Sequence, residues 1–122
     1  CVDDESNILK ALQRLFINKG VQLLLADSGA KALELMQQHQ VNLIITDMRM
    51  PGMSGAEFLV QAEQLQPDTY RILMSGYSDH ASTVSAKNLG KIHRFIQKPW
   101  DNQELLAAVA EGLAQYPPGT SK

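Results

Sequence analysis

The sequence predicts an α/β fold in which a doubly wound parallel sheet lies between two layers of helices. The first observation behind this prediction is that short apolar runs, such as "NLIIT" and "RFIQ", alternate with longer amphipathic segments along the chain. The second is that turn-forming residues separate these runs at regular intervals. Such alternation is typical of parallel strands joined by right-handed crossovers. Five units are expected, which makes a (βα)5 three-layer sandwich.

The first two units occupy residues 1–40. "CV" ends a first strand that is expected to be truncated at its N-terminus, and "VQLLLA" is predicted as the second strand. The segment "SNILKALQRLFINKG" is predicted as a helix that Gly20 terminates. Ser28 is the expected N-cap of the next helix, "SGAKALELMQQHQ". Helical spacing predicts the inward faces, with Ile8, Ala11, Leu12 and Leu15 on the first helix and Ala30, Leu33 and Met36 on the second.

The remaining three units occupy residues 41–116. "NLIIT" is apolar enough to be buried on both faces, "YRILMS" is predicted as the fourth strand, and "RFIQ" is predicted as the fifth. Ser54 is the expected N-cap of the helix "GAEFLVQAEQLQ", which Pro67 ends. A weaker, more polar helix is predicted over 79–89. The last helix, 102–116, has a predicted inward face of Leu105, Leu106, Val109 and Leu113.

Length and composition indicate one globular domain. The 122 residues suffice for a single core, which we expect over 1–116, with "PPGTSK" at 117–122 as a linker or tail. No apolar run is long enough to cross a membrane. The 11 basic and 13 acidic residues give a net charge of −2 without a basic stripe, so direct nucleic-acid binding is not expected. The single cysteine, Cys1, is compatible with a reducing cytoplasm.

Polar residues follow four of the predicted strands, in the order Asp3 and Asp4, Asp47, Ser75, and Lys98. Each alone fits an ordinary turn or capping residue. Together they meet at one edge of the sheet, where three carboxylates repel one another unless a cation neutralises them. Oxygen ligands of this kind suit Mg²⁺. With a hydroxyl and an ammonium group facing the same point, the pattern indicates phosphoryl transfer to a carboxylate.

The motifs "DDE", "DMRMPGMSG", "SGYSD" and "KPW", in this order and at these strand ends, resemble the receiver domain of two-component response regulators. The resemblance covers nearly the whole chain. It implies a flavodoxin-like fold with the strand order 2-1-3-4-5. It extends to receivers joined to HD-type or diguanylate-cyclase output modules, and to receivers in hybrid sensor kinases.

The resemblance implies where the phosphoryl group and the metal would bind. Asp47 matches the phosphoacceptor of the family. Asp4, Asp47 and the backbone carbonyl of Arg49 match its Mg²⁺ ligands, with Mn²⁺ as the alternative ion. Asp3 would act on the metal through water.

The resemblance also implies a set of switch residues. Ser75 matches the hydroxyl that moves to the phosphoryl group, and Lys98 matches the cation that pairs with it. Pro99 matches the proline that usually follows a cis peptide bond. Phe95 matches the aromatic switch position, where the family often has tyrosine. Without a hydroxyl, Phe95 can respond through its burial but cannot form the hydrogen bond of the active state.

The implied function is that of a cytoplasmic phosphoacceptor domain that catalyses its own phosphorylation and dephosphorylation and is not a stand-alone enzyme. Its donor would be the phosphohistidine of a histidine kinase or a phosphotransfer protein. Phosphorylation would change the face formed by the helix at 79–89, the strand "RFIQ" and the last helix. That face would control an output domain or a partner protein, and a homodimer could form through it.

Two other functions fit part of the pattern. A haloacid-dehalogenase-type phosphatase also uses a strand-end Asp, Mg²⁺, Ser or Thr, and Lys, but it has a second Asp two residues after the nucleophile, where this chain has Arg49. A receiver-like interaction module that is never phosphorylated would share the fold. Against it, every phosphorylation position here is occupied by a competent residue.

Overall fold

The computed structural model describes residues 1–17, 23–48, 52–75, 92–97 and 100–115, the side chain of Ser75 excepted. Within these residues there are four helices, α1 (Ser6–Phe16), α2 (Gly29–Gln38), α3 (Gly55–Leu65) and α4 (Asn102–Gln115). The strands within them are β1 (Leu43–Asp47), β2 (Tyr70–Ser75) and β3 (Arg94–Gln97). These three strands correspond to the predicted third, fourth and fifth strands. The helix predicted over 79–89 lies outside the described residues.

The strands form one parallel sheet in the order β1-β2-β3. Val2 adds isolated parallel bridges to both Ala26 and Thr46, so the sheet continues from β1 to Val2 and then to Ala26. This succession agrees with the predicted order, although the described residues show the first two strands only as bridges. The prediction of a full strand "VQLLLA" is not met over 23–26. In this segment Ala26 forms the bridge to Val2, and the Leu24 carbonyl accepts a hydrogen bond from the Cys1 amino group at 2.9 Å.

Apolar clusters on the two faces of the sheet explain the three layers. Successive strand residues point to opposite faces, so the neighbours Ile44 and Ile45 belong to different clusters. The cluster around Ile44 includes side chains of α2 and α3, namely Ala32, Met36, Phe58, Leu59 and Ala62. The cluster around Ile45 includes side chains of α1 and α4, namely Leu12, Phe16, Leu105, Ala108 and Val109. The predicted α/β class with helices on both faces is confirmed.

Both predicted helix caps are confirmed. The Ser28 hydroxyl accepts a hydrogen bond from the Lys31 N–H at 3.2 Å, which starts α2. Ser54 forms a capping box with Glu57, in which each side chain accepts from the other residue's backbone N–H. α3 ends at Leu65, two residues before Pro67.

Two predictions about the first two helices need correction, one for the inward face of α2 and one for the end of α1. Ala30 is exposed, and the buried stripe of α2 consists of Gly29, Ala32 and Met36. These positions follow the spacing i, i+3, i+7, and Ala30 is turned away from them by about 100°. α1 ends at Phe16 because Ile17 has an extended backbone, so the helix stops short of Gly20, which lies outside the described residues.

The predicted inward face of the last helix is only partly buried. Leu105 and Val109 are buried, whereas Leu106 and Leu113 are only partly buried. Ala108 and Gly112 fill the rest of the buried stripe of α4. Among the helices within the described ranges, none is long and apolar enough to cross a membrane.

Candidate functional site

Asp47 is the last residue of β1, and the backbone here is hydrogen-bonded to a segment of the sheet on each side. Its N–H donates to the Val2 carbonyl at 2.9 Å, and the N–H of the next residue, Met48, donates to the Met74 carbonyl at 2.9 Å. The backbone is therefore held from both sides until it leaves the sheet. The residue is 7% exposed, so its carboxylate is fixed at the carboxyl end of an inner strand.

Asp3 and Asp4 bring two more carboxylates to the same edge. The Val2 N–H donates to the Ile45 carbonyl at 2.8 Å, which sets this segment beside β1. Asp3 is 1% exposed, and its Oδ1 accepts a hydrogen bond from the Glu5 N–H at 2.9 Å, just before α1 begins. Asp4 is exposed.

The three carboxylates converge as predicted. One oxygen from each of Asp3, Asp4 and Asp47 lies within 4.8 Å of the other two. Negative charges this close repel one another, and a cation between them removes the repulsion. All the donors are carboxylate oxygens, which suit a hard divalent cation rather than zinc or copper. The chemistry of this donor set fits Mg²⁺.

The other predicted site residues are described only in part. Ser75 is the last residue of β2, the strand next to Asp47. Phe95 is on β3, opposite Leu73 of β2. Its side chain is partly buried and packs against the apolar cluster on the α2 and α3 face. The side chain of Ser75, together with Arg49, Lys98 and Pro99, lies outside the described residues.

Two residues that contact the backbone of Asp47 and Met48 are not among the predicted site residues. Thr46 is fully buried, and its hydroxyl donates to the Asp47 carbonyl at 3.1 Å. Gly55, the first residue of α3, donates its N–H to the Met48 carbonyl at 2.8 Å. The sequence indicates a helix start at Ser54, but the contact between that helix and Asp47 depends on tertiary packing.

The comparison with protein families decides the identity of the fold. The response regulator receiver domain family matches residues 1–110. The chain belongs to this family. The family match supports the phosphoacceptor function expected from the motifs and gives no support to the haloacid-dehalogenase alternative.

Curated relatives of this receiver domain are transcriptional regulators. The hydrogenase transcriptional regulatory protein HoxA of Bradyrhizobium diazoefficiens is 33% identical over 115 residues, which cover 94% of this chain and 24% of HoxA. The DNA-binding transcriptional regulator NtrC of Escherichia coli is also 33% identical over 115 residues, with the same coverage of 94% and 24%. The chain therefore spans about a quarter of the length of these relatives.

Solved structures agree with the receiver assignment. The signal receiver domain of an HD domain-containing protein from Pseudomonas fluorescens is 36% identical and superposes with a TM-score of 0.90, covering 94% of this chain and 92% of that one. An uncharacterized protein from Neptuniibacter caesariensis is 42% identical, with a TM-score of 0.89 and coverage of 94% and 85%. The flavodoxin-like receiver fold is thereby confirmed.

Proposed function

We propose that Asp47 accepts a phosphoryl group from the phosphohistidine of a histidine kinase or of a phosphotransfer protein. The observation that carries the proposal is the convergence of Asp3, Asp4 and Asp47 within 4.8 Å at the carboxyl end of the sheet. Asp47 alone of the three ends a regular strand. In the transfer, an Asp47 oxygen forms a bond to phosphorus while the phosphorus–nitrogen bond of the phosphohistidine breaks.

Asp4 and Asp47 are the side chains that would hold Mg²⁺, or Mn²⁺ in its place, together with the backbone carbonyl of Arg49. The ion supplies positive charge that offsets the carboxylates and the transferring phosphoryl oxygens. Because Asp3 already engages one oxygen with the Glu5 N–H, we propose that it contributes through water.

The switch is proposed to follow from charge. Phosphorylation adds about −1.5 to −2 at Asp47. This charge would draw the Ser75 hydroxyl and the Lys98 ammonium toward the phosphoryl group, with Pro99 shaping the Lys98 loop. Phe95, partly buried on β3, would change its burial as the active arrangement becomes populated.

The chain is proposed to be the receiver part of a longer regulator, with the domain at 1–116 and a linker or tail at 117–122. The similarity to the receiver of an HD domain-containing protein supports an output module of that type. Control of the output would pass through β3, α4 and the helix predicted over 79–89, and a homodimer through this face is a further assembly to test. We place the reaction in the cytoplasm.

The central test measures phosphorylation directly. We expect acetyl phosphate with Mg²⁺ to add the mass of a single phosphoryl group, seen by native mass spectrometry, and mild alkali to remove it because an acyl phosphate is labile in base. Asp47→Asn should abolish the gain, and chelating the metal should do the same. Asp68→Asn is the matched control, because Asp68 is exposed between α3 and β2, away from the carboxyl ends of the strands.

The same experiment separates the remaining alternative. A receiver-like module that is never phosphorylated would gain no mass under any of these conditions. Labelling of Asp47→Asn to the level of the parent, or a label that survives alkali, would show that another residue is modified. Either result would overturn the assignment of Asp47.

A further inference from the structure

Gly55 makes an unusually close backbone contact with the proposed phosphoacceptor. A Cβ atom built on Gly55 would lie 2.1 Å from the carbonyl oxygen of Asp47 and 2.9 Å from its carbonyl carbon. Ordinary contacts of a Cβ atom begin at 3.4 Å. The start of α3 therefore lies directly against the Asp47 backbone, at a distance that only a residue without a side chain allows.

The Asp47 side of this contact cannot yield easily. The Asp47 N–H is bonded to Val2, and the Thr46 hydroxyl donates to the same Asp47 carbonyl. The next residue, Met48, is bonded through its N–H to Met74. Moving the Asp47 carbonyl would disturb its pairing with the neighbouring segments of the sheet.

The helix side is held as well. The capping box between Ser54 and Glu57 fixes the first turn of α3, and the Gly55 N–H donates to the Met48 carbonyl at 2.8 Å. The third neighbour of a Cβ at Gly55 is a methyl group of Leu73, at 3.0 Å, which can rotate away. A side chain at position 55 would therefore force either α3 or Asp47 to move.

We propose that Gly55 is a positioning residue for phosphoryl transfer, because its missing side chain lets α3 set the position of Asp47. The inference rests on the proposed function of Asp47. An added methyl group would separate Gly55 from the Asp47 carbonyl by roughly 1 Å, and a displacement of about 1 Å at a reacting group is enough to slow a reaction about 100-fold. Gly55→Ala should therefore slow labelling of the folded protein by about 10- to 100-fold.

Gly112→Ala is the matched control for the Gly55→Ala test. A Cβ at Gly112 would lie 2.5 Å from the Tyr70 ring and 2.6 Å from a methyl group of Leu43, so it is about as crowded. Tyr70 and Leu43 begin their strands, at the opposite edge of the sheet from Asp47. Crowding at Gly112 should lower the melting temperature without changing the labelling rate of folded molecules.

The experiment compares the parent, Gly55→Ala and Gly112→Ala in acetyl phosphate over a range of Mg²⁺ concentrations. The labelling rate is divided by the folded fraction, taken from circular dichroism in the same buffer. A slower rate and a higher half-saturating Mg²⁺ concentration for Gly55→Ala alone would support the proposal. Equal rates for Gly55→Ala and the parent, or equal slowing by both variants, would overturn it.

Ser54→Ala decides the question if Gly55→Ala does not fold. This change keeps Gly55 but removes the hydroxyl that fixes the start of α3. We expect its labelling rate to fall below that of Gly112→Ala, and a rate equal to the parent would overturn the proposal. Failure of the parent to label at all would instead refute the function of Asp47, so the two failures are distinguishable.

Discussion

Among single residues, Asp3 allows the effect of the acidic cluster on stability to be predicted. It is buried, it lies within 4.8 Å of two other carboxylates, and its Oδ1 accepts from the Glu5 N–H. Asp3→Asn removes the charge but keeps an oxygen for that hydrogen bond. Without a divalent cation, we expect the variant to be more stable than the parent by about 1 kcal/mol, which raises the melting temperature by about 4 °C. The stabilisation that Mg²⁺ adds should be smaller for the variant, as thermal unfolding with and without Mg²⁺ will measure.

Two further variants control this prediction. Asp3→Ala loses both the charge and the hydrogen-bond acceptor, so it should be less stable than Asp3→Asn. Asp68→Asn removes an exposed charge far from the cluster and should alter neither measurement. If Asp3→Asn unfolds at a lower temperature than the parent in chelator, repulsion between the carboxylates is not what limits stability there.

Among the elements, the start of β3 depends on an imidazole. The Arg71 N–H donates to His93 Nδ1 at 3.0 Å, and the His93 N–H donates to the Arg71 carbonyl at 3.0 Å. The Tyr70 ring stacks on His93 with centroids 4.8 Å apart. Burial and the nearby Arg71 charge lower the pKa of His93, while Glu63 of α3 raises it in part. A neutral His93 is required because Nδ1 must accept the Arg71 hydrogen bond.

His93 should make the folding stability of the domain depend on pH. A pKa that is lower in the folded state than the ordinary 6.5 gives stability that is present above pH 6.5 and is lost as the pH falls through the folded pKa. We expect the Arg71 amide to exchange faster and the β2–β3 edge to loosen over that range. His93→Asn keeps an acceptor near Nδ1 without titrating, so it should flatten the dependence. His39→Asn, at an exposed position, is the control, and an unchanged pH profile for His93→Asn would contradict the prediction.

The elements also show what sequence patterns can and cannot predict. β2 and β3 coincide with "YRILMS" and "RFIQ" because apolar residues at their centres, Ile72, Leu73 and Ile96, are buried in the core. "VQLLLA" is equally apolar, yet over 23–26 it forms a bridge at Ala26 instead of a regular strand, because pairing depends on tertiary neighbours that composition does not reveal. The prediction for Ala30 is wrong because alanine occurs on both the buried and the exposed side of helices, so its position in the sequence does not show which side it occupies.

The same contrast holds at the site. The convergence of Asp3, Asp4 and Asp47 follows from topology alone, since the ends of parallel strands meet at one edge. The Thr46 hydroxyl reaches the Asp47 carbonyl from the neighbouring residue, whereas the close approach of Gly55 to that carbonyl depends on where α3 packs. No spacing rule in the sequence contains that distance.

For the whole molecule, the described contacts connect β2, β3 and α4 on one side of the sheet. The Tyr70 hydroxyl of β2 donates to Glu111 of α4 at 3.3 Å, and Arg94 of β3 pairs with the same carboxylate at 3.1 Å. The Arg94–Glu111 pair is exposed and contributes little to stability by itself. Its importance is geometric, because one carboxylate links two strands and a helix.

This connection predicts where phosphorylation changes the domain. Ser75 ends β2 beside Asp47, so movement toward a phosphoryl group should pass along β2 to β3 and α4 and leave α2 and α3 unaffected. Hydrogen exchange with acetyl phosphate and Mg²⁺ should change by about five-fold or more in Arg94–Gln97 and Asn102–Gln115, the range of ordinary allosteric coupling. Asp47→Asn under the same conditions should show no change. Changes that are spread evenly, or that are confined to α2 and α3, would place the output surface elsewhere on the receiver.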